Sequence, residues 1–167
     1  MRLYIVRHGI ALPHGAPGIK DDDRPLTKQG IAKMKKIAKG LRKLHCIPDL
    51  IVSSPLPRAR QTAEILAKTL GNAELKISKS LLPSGSHQSL YRELGVQAKK
   101  LDSLMLVGHQ PSLGEIAGEI SSGSQDSFIE LEKGGACVIE LKSLGESPRG
   151  TLLSLLPPSV LRKIVAN

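Results

Sequence analysis

At 167 residues the chain has the length of one domain with a substantial core, and a single domain over 1–167 is expected. With 40% hydrophobic and 23% charged residues it reads as an ordinary globular protein, but aromatics make up only 2%, so the core must be aliphatic and base-stacking platforms for single-stranded nucleic acid are disfavoured. The formal net charge of +9 points to acidic partners or substrates. Cys46 and Cys137 lie far apart beside apolar segments, the setting of buried free thiols rather than of a metal site. No apolar run approaches membrane-spanning length and no signal-peptide core precedes the first strand, so no membrane association and a cytoplasmic location are expected.

The chain opens on Leu3-Tyr4-Ile5-Val6, a short apolar and partly β-branched run that reads as a buried strand. It breaks abruptly into Arg7-His8-Gly9. Arginine offers a planar donor fork matched to phosphate oxygens, and neutral imidazole is a nitrogen nucleophile available at pH 7. Gly9 permits close approach of the backbone. Residues 10–26, rich in Pro, Gly and Asp, form a loop long enough to suspect of function, closed by Arg24-Pro25-Leu26-Thr27. Thr27 suits the N-cap of a helix from about Lys28 to Leu44, with Ile31, Met34, Ala38, Leu41 and Leu44 on one face. Its opposite surface carries only cations, which reads first as a solvated basic face.

Leu50-Ile51-Val52-Ser53 is a second buried strand, and Ser54-Pro55-Leu56-Pro57-Arg58 leads into a helix stopped by Gly71-Asn72. A weaker strand at Leu75–Ile77 and a loop at 83–86 precede an amphipathic helix from His87 to Lys100, which uses Leu90, Leu94, Ala98 and Leu101. Ser103–Val107 is another buried strand and runs into Gly108-His109-Gln110-Pro111, with Pro111 in the first turn of a helix to about Ile120. Two late strands, Cys137–Leu141 and Thr151–Leu155, are followed by Pro157-Pro158 and a short helix. This alternation predicts an α/β fold of three layers, α/β/α, around a mainly parallel central sheet.

Three buried strands thus end in chemistry: Arg7-His8, Ser53-Ser54 leading to Arg58, and Gly108-His109. In a parallel sheet those ends share one edge, where open α/β sheets bind ligands. Two arginines, two histidines and two helix N-termini on one crevice make an anion site. Neither cysteine has an arginine six positions on, and P-loop, nucleophile-elbow and zincin motifs are lacking. His14, His45 and His87 are scattered singly and read as loop or surface histidines.

The stretch Leu3–Gly9 resembles the signature of the histidine phosphatase, or phosphoglycerate mutase-like, superfamily. Ser53-Ser54-Pro55-Leu56-Pro57-Arg58-Ala59-Arg60-Gln61-Thr62 resembles its second motif, and Leu106-Val107-Gly108-His109 its third. The size, the Arg24–Thr27 segment and the late Leu-Pro-Pro look closest to the SixA-type phosphohistidine phosphatases. The resemblance implies that His8 is the nucleophile, forming a phosphohistidine intermediate, with Arg7 and Arg58 on the phosphoryl oxygens. It also implies that a protonated His109 donates to the same group, with Gly9, Arg24 and Gln110 as further substrate contacts. No cofactor and no metal is expected, since the cations supply the positive charge, and phosphate or sulfate is expected to occupy the site.

Many superfamily members carry a carboxylic general acid after the third strand or directly after the second histidine. Here Leu81-Leu82-Pro83-Ser84-Gly85 and Gln110 offer none, which favours a leaving group that needs little help, such as a protonated phosphohistidine. Asp21, Asp22, Asp23 and Glu93 remain alternative proton sources. The leading expectation is a metal-independent phosphatase of phosphohistidine in a protein partner. Its competitors are a phosphatase of a small phosphoester or nucleotide, and a non-catalytic basic module binding phosphate or nucleic acid.

Overall fold

The computed structural model describes residues 1–97 and 101–165. Strands β1 (Arg2–Arg7), β2 (Leu50–Ser53), β3 (Glu74–Ile77), β4 (Ser103–Gly108), β5 (Ala136–Ser143) and β6 (Arg149–Leu156) form one sheet in the order β3-β2-β4-β1-β5-β6. The pairs β1–β4, β2–β4 and β2–β3 are parallel, whereas β5 runs antiparallel to both β1 and β6. Among the described residues five helices cover it: α1 (Lys28–Lys43), α2 (Pro57–Thr69), α3 (His87–Gln97), α4 (Ser112–Ser122) and α5 (Pro158–Lys163).

The period-two alternation of the central strands divides the core into two halves. Leu3 and Ile5 of β1, with Leu104 and Leu106 of β4, pack against Leu90 and Leu94 of α3 and Leu113 and Ile116 of α4. Tyr4 and Val6, with Met105 and Val107, pack against α1, α2 and Leu161 of α5. Strands buried on both faces read as unbroken apolar runs, which is why β1, β2 and β4 were legible in the sequence. The fold is therefore the expected three-layer α/β/α with a mainly parallel sheet.

Helix α1 starts where capping chemistry places it, with the Gly30 N–H donating to Thr27 Oγ1 at 2.9 Å. Its inward face differs in detail from the expected one. Ile37 is 1% exposed and belongs to the core, while Leu44 lies past the helix end and is 41% exposed. Pro111 sits at the N-cap of α4 rather than inside its first turn. The expected continuation of α3 through Ala98 to Lys100 falls outside the described residues. Cys46 and Cys137 are buried free thiols, as expected. No helix among the described residues is long and apolar enough to cross a membrane.

For function the decisive feature is the order β2-β4-β1, which sets three strand ends side by side. Backbone hydrogen bonds continue past the strands and tie those ends together. The His8 N–H donates to the Gly108 carbonyl at 3.0 Å, and the Ser54 N–H to that of Val107 at 2.9 Å.

Candidate active site

His8 follows β1, His109 follows β4, and Arg58 lies in the first turn of α2; they are 6%, 3% and 4% exposed. The imidazole rings of His8 and His109 have centroids 5.1 Å apart and are tilted by 55°. Arg7, half-buried at the end of β1, completes the group. Such burial of polar residues is uncommon unless they are paired or functional.

His8 Nδ1 lies 2.7 Å from the Gly9 carbonyl oxygen. A carbonyl can only accept, so Nδ1 carries the ring hydrogen and the lone pair resides on Nε2. Burial pushes the His8 pKa down to about 4, and the charges of Arg58, Arg7 and Lys133 push the same way. The imidazole is therefore neutral and nucleophilic at neutral pH. Gly9 holds this geometry twice over. Its N–H donates to Thr62 Oγ1 at 3.0 Å, and a Cβ there would lie 2.5 Å from Met34 Cγ. Thr62 Oγ1 in turn donates to the Arg58 carbonyl at 2.7 Å, so one hydroxyl links the His8 turn to the helix that carries Arg58.

His109 departs from the expectation of a protonated imidazole. Burial, followed by the charges of His8, Arg58, Arg24 and Arg7, lowers its pKa to about 3, so it is neutral in the unliganded site. Its Nε2 lies 2.8 Å from Ser54 Oγ. With the Ser54 hydroxyl donating to Nε2, the single ring hydrogen sits on Nδ1, which is buried and without a partner. His109 can then donate to an anion without first gaining a proton.

The two arginines are anchored by one end and free at the other. Arg7 donates through one terminal nitrogen to the Leu131 carbonyl at 2.8 Å, and Arg58 donates likewise to that of Asp21 at 3.0 Å. Both Nε atoms are buried without partners. Arg7 Nε, Arg58 Nε and His109 Nδ1 are the buried unpaired side-chain nitrogens among the described residues, and they belong to residues singled out from the sequence. Buried donors are almost always satisfied, so a cluster of three calls for a shared acceptor.

Arg24 lies at the rim. Its Nε donates to Asp21 Oδ1 at 2.8 Å and a terminal nitrogen to the Leu12 carbonyl at 2.7 Å, while its charge bears on both Arg58 and His109. The Asp21 carboxylate is also hydrogen-bonded to His14, and these two contacts hold its pKa down to about 2. A carboxyl so strongly ionised is a poor general acid. Glu93 accepts from Ser78 Oγ at 2.5 Å. Gln110, expected among the substrate contacts, has its amide engaged on the protein itself. Its Oε1 accepts from the Gly114 N–H at 2.7 Å and its Nε2 donates to the Ile129 carbonyl at 3.2 Å, which caps α4. His87, expected at the surface, is half-buried instead, with Nε2 3.1 Å from Ser112 Oγ.

Ser54, Thr62 and the backbone of Asp21 were given no role from the sequence. Thr62 was nevertheless findable, since it stands four residues after Arg58 and therefore on the same helix face.

An α/β protein that gathers two arginines and two histidines on one sheet edge is of the phosphate-handling class. Residues 3–82 match the histidine phosphatase superfamily (branch 1). An uncharacterized protein of Picosynechococcus sp. is 41% identical over 144 residues, covering 86% of each chain. The phosphohistidine phosphatase SixA of Escherichia coli is 25% identical over 164 residues, covering 97% of each. In three dimensions the protein histidine phosphatase SixA complexed with tungstate superposes with a TM-score of 0.82 at 24% identity, over 96% of this chain and 99% of that one, a likeness of fold. The chain belongs to the histidine phosphatase superfamily, and it is a phosphatase hydrolase.

Proposed function

We propose that this protein dephosphorylates phosphohistidine in a protein partner, with His8 as nucleophile and without a metal. His8 Nε2 attacks phosphorus, the substrate P–N bond breaks, and the phosphoryl group passes to His8; water then attacks phospho-His8, releasing inorganic phosphate and restoring the imidazole. Arg7 and Arg58 hold the phosphoryl oxygens, and His109 Nδ1–H donates to the same group, so that charge developing in transfer meets donors already in place. The observation that carries this reading is the trio of buried unpaired donors on Arg7, Arg58 and His109 around a neutral His8.

The substrate class follows from what must leave. An alkoxide needs a proton donor, and two positions beside the site do not supply one: Asp21 is held ionised by His14 and Arg24, and Gln110 has no acidic proton, which favours a leaving group that needs less help. A phosphohistidine protonated on its ring leaves as neutral imidazole and makes no such demand. The name of the Escherichia coli relative, phosphohistidine phosphatase, supports the same class.

The test is hydrolysis of a phosphohistidine-bearing protein in the presence of a chelator, beside His8→Ala, with acid-labile phosphoenzyme trapped by rapid quench. Turnover and labelled protein in the wild type alone are expected. Turnover of sugar phosphates or nucleotides, with the phosphohistidine protein untouched, overturns the substrate class and moves the reading to small phosphoesters.

A further inference from the structure

The two flanks of the phosphate site differ in charge. On the side of the sheet covered by α3 and α4, a cleft of about 570 Å³ is lined by Glu115, Glu119 and Glu146, with His87 and Tyr91. On the side covered by α1 and α5 the surface is basic. Lys28, Lys35, Lys36 and Lys39 are exposed on α1, which carries no acidic residue, and no salt bridge among the described residues includes any of them.

That basic flank reaches the site itself. Helices α1 and α5 approach so closely that a Cβ on Gly40 would lie 2.2 Å from the Leu161 carbonyl oxygen. Their contact sets Lys33 and Arg162 around a cleft of about 400 Å³, together with Lys133, Glu130, Glu132 and Arg7. Arg7 is thus shared between this cleft and the phosphate site, and Lys133 acts electrostatically on His8. Four cations against two carboxylates leave the cleft positive. Lys33 and Arg162, like the exposed lysines of α1, take part in no ion pair among the described residues.

We propose that the α1–α5 flank, centred on the Lys33–Lys133–Arg162 cleft beside Arg7, docks an acidic surface of the protein that carries the phosphohistidine. The inference rests on the phosphohistidine reading above. A carboxylate of the partner next to its phosphohistidine enters the cleft while the phosphoryl group reaches Arg7, and acidic neighbours lie along the lysines of α1. The carboxylates lining the α3–α4 cleft repel the same surface, so the charge asymmetry orients the partner across the site as well as attracting it. Complementarity of this kind acts chiefly on encounter and register, and it is screened by salt.

Two synthetic phosphohistidine peptides of equal length, one flanked by Glu and the other by Gln, test the proposal on the full-length protein. At low salt the Glu peptide is expected to have a kcat/KM about tenfold higher, with the gap closing at high ionic strength. In a Lys33→Glu, Arg162→Glu double variant the preference is expected to vanish while phosphoramidate hydrolysis is unchanged. Equal kcat/KM for both peptides, or a preference that survives in the double variant, overturns the docking surface. If neither phosphoramidate nor peptide is hydrolysed, the phosphatase reading fails for a separate reason. Fluorescence anisotropy with an unphosphorylated Glu peptide then decides, since salt-sensitive binding lost in the double variant upholds the surface and no binding overturns it. Preference for single-stranded RNA over that peptide also overturns it.

Discussion

Lowering the pH from 7 to 5 should destabilise this protein through the two site histidines. His8 and His109 have pKa values near 4 and near 3 in the folded, unliganded chain, against about 6.5 when unfolded. Between the unfolded and folded values the unfolded chain binds protons that the folded one refuses. Stability is therefore full above pH 6.5 and falls as the pH drops toward 4, by about 1.4 kcal/mol per pH unit for each histidine. From pH 7 to 5 about 1.5 units lie below the unfolded value, so each ring costs roughly 2 kcal/mol and the pair roughly 4 kcal/mol. That is a large share of an ordinary domain's ~5–15 kcal/mol. Urea unfolding at the two pH values in phosphate-free buffer measures the drop, and proton NMR of the imidazole Cε1–H signals assigns it. His8→Asn should lose about half of the drop. A bound oxyanion favours the protonated rings, so inorganic phosphate should shrink it. A His8 signal titrating near 6.5, or equal stability at pH 7 and 5, would refute the argument.

Three substitutions probe how the site is held. Thr62→Val keeps shape but removes the hydroxyl between Gly9 and Arg58; a loss of about 1–3 kcal/mol in chemical denaturation and at least a tenfold drop in kcat are expected. Gln110→Ala should cost about 1 kcal/mol of stability through the lost cap yet leave KM within about twofold, whereas a large KM change would restore Gln110 to the substrate contacts. Gly9→Ala forces a methyl against Met34, and overpacking of about 1–3 kcal/mol is expected, with turnover lost more steeply than stability because the His8 carbonyl contact shifts.

Much of this architecture could be read before any coordinates. The unbroken apolar runs of β1, β2 and β4 announced strands buried on both faces, and their polar endings announced which edge would carry chemistry. The spacing of α1 gave its inward face but misjudged Leu44, because periodicity cannot tell where the last helical turn loses its neighbours. The contacts of Gln110 were hidden for a related reason. Adjacency to His109 in sequence says nothing of where a side chain turns, and its amide bridges the Gly114 N–H and the Ile129 carbonyl. The protonation of His109 was illegible too, since it depends on burial and on three arginines brought together only by folding.

The antiparallel entry of β5 brings a distant segment against the end of β1. The Gly134 N–H donates to the carbonyls of both Arg7 and His8 at 3.1 Å, and the Arg7 N–H donates to that of Gly135, also at 3.1 Å. The Leu131 carbonyl anchors the Arg7 guanidinium from the same segment. His8 and the backbone that seats it are remote in sequence, so the turn at the end of β1 is held by a segment that reaches it only through the tertiary fold. Loosening residues 131–135 therefore unseats the His8 turn and frees the Arg7 guanidinium together, although neither residue belongs to that segment.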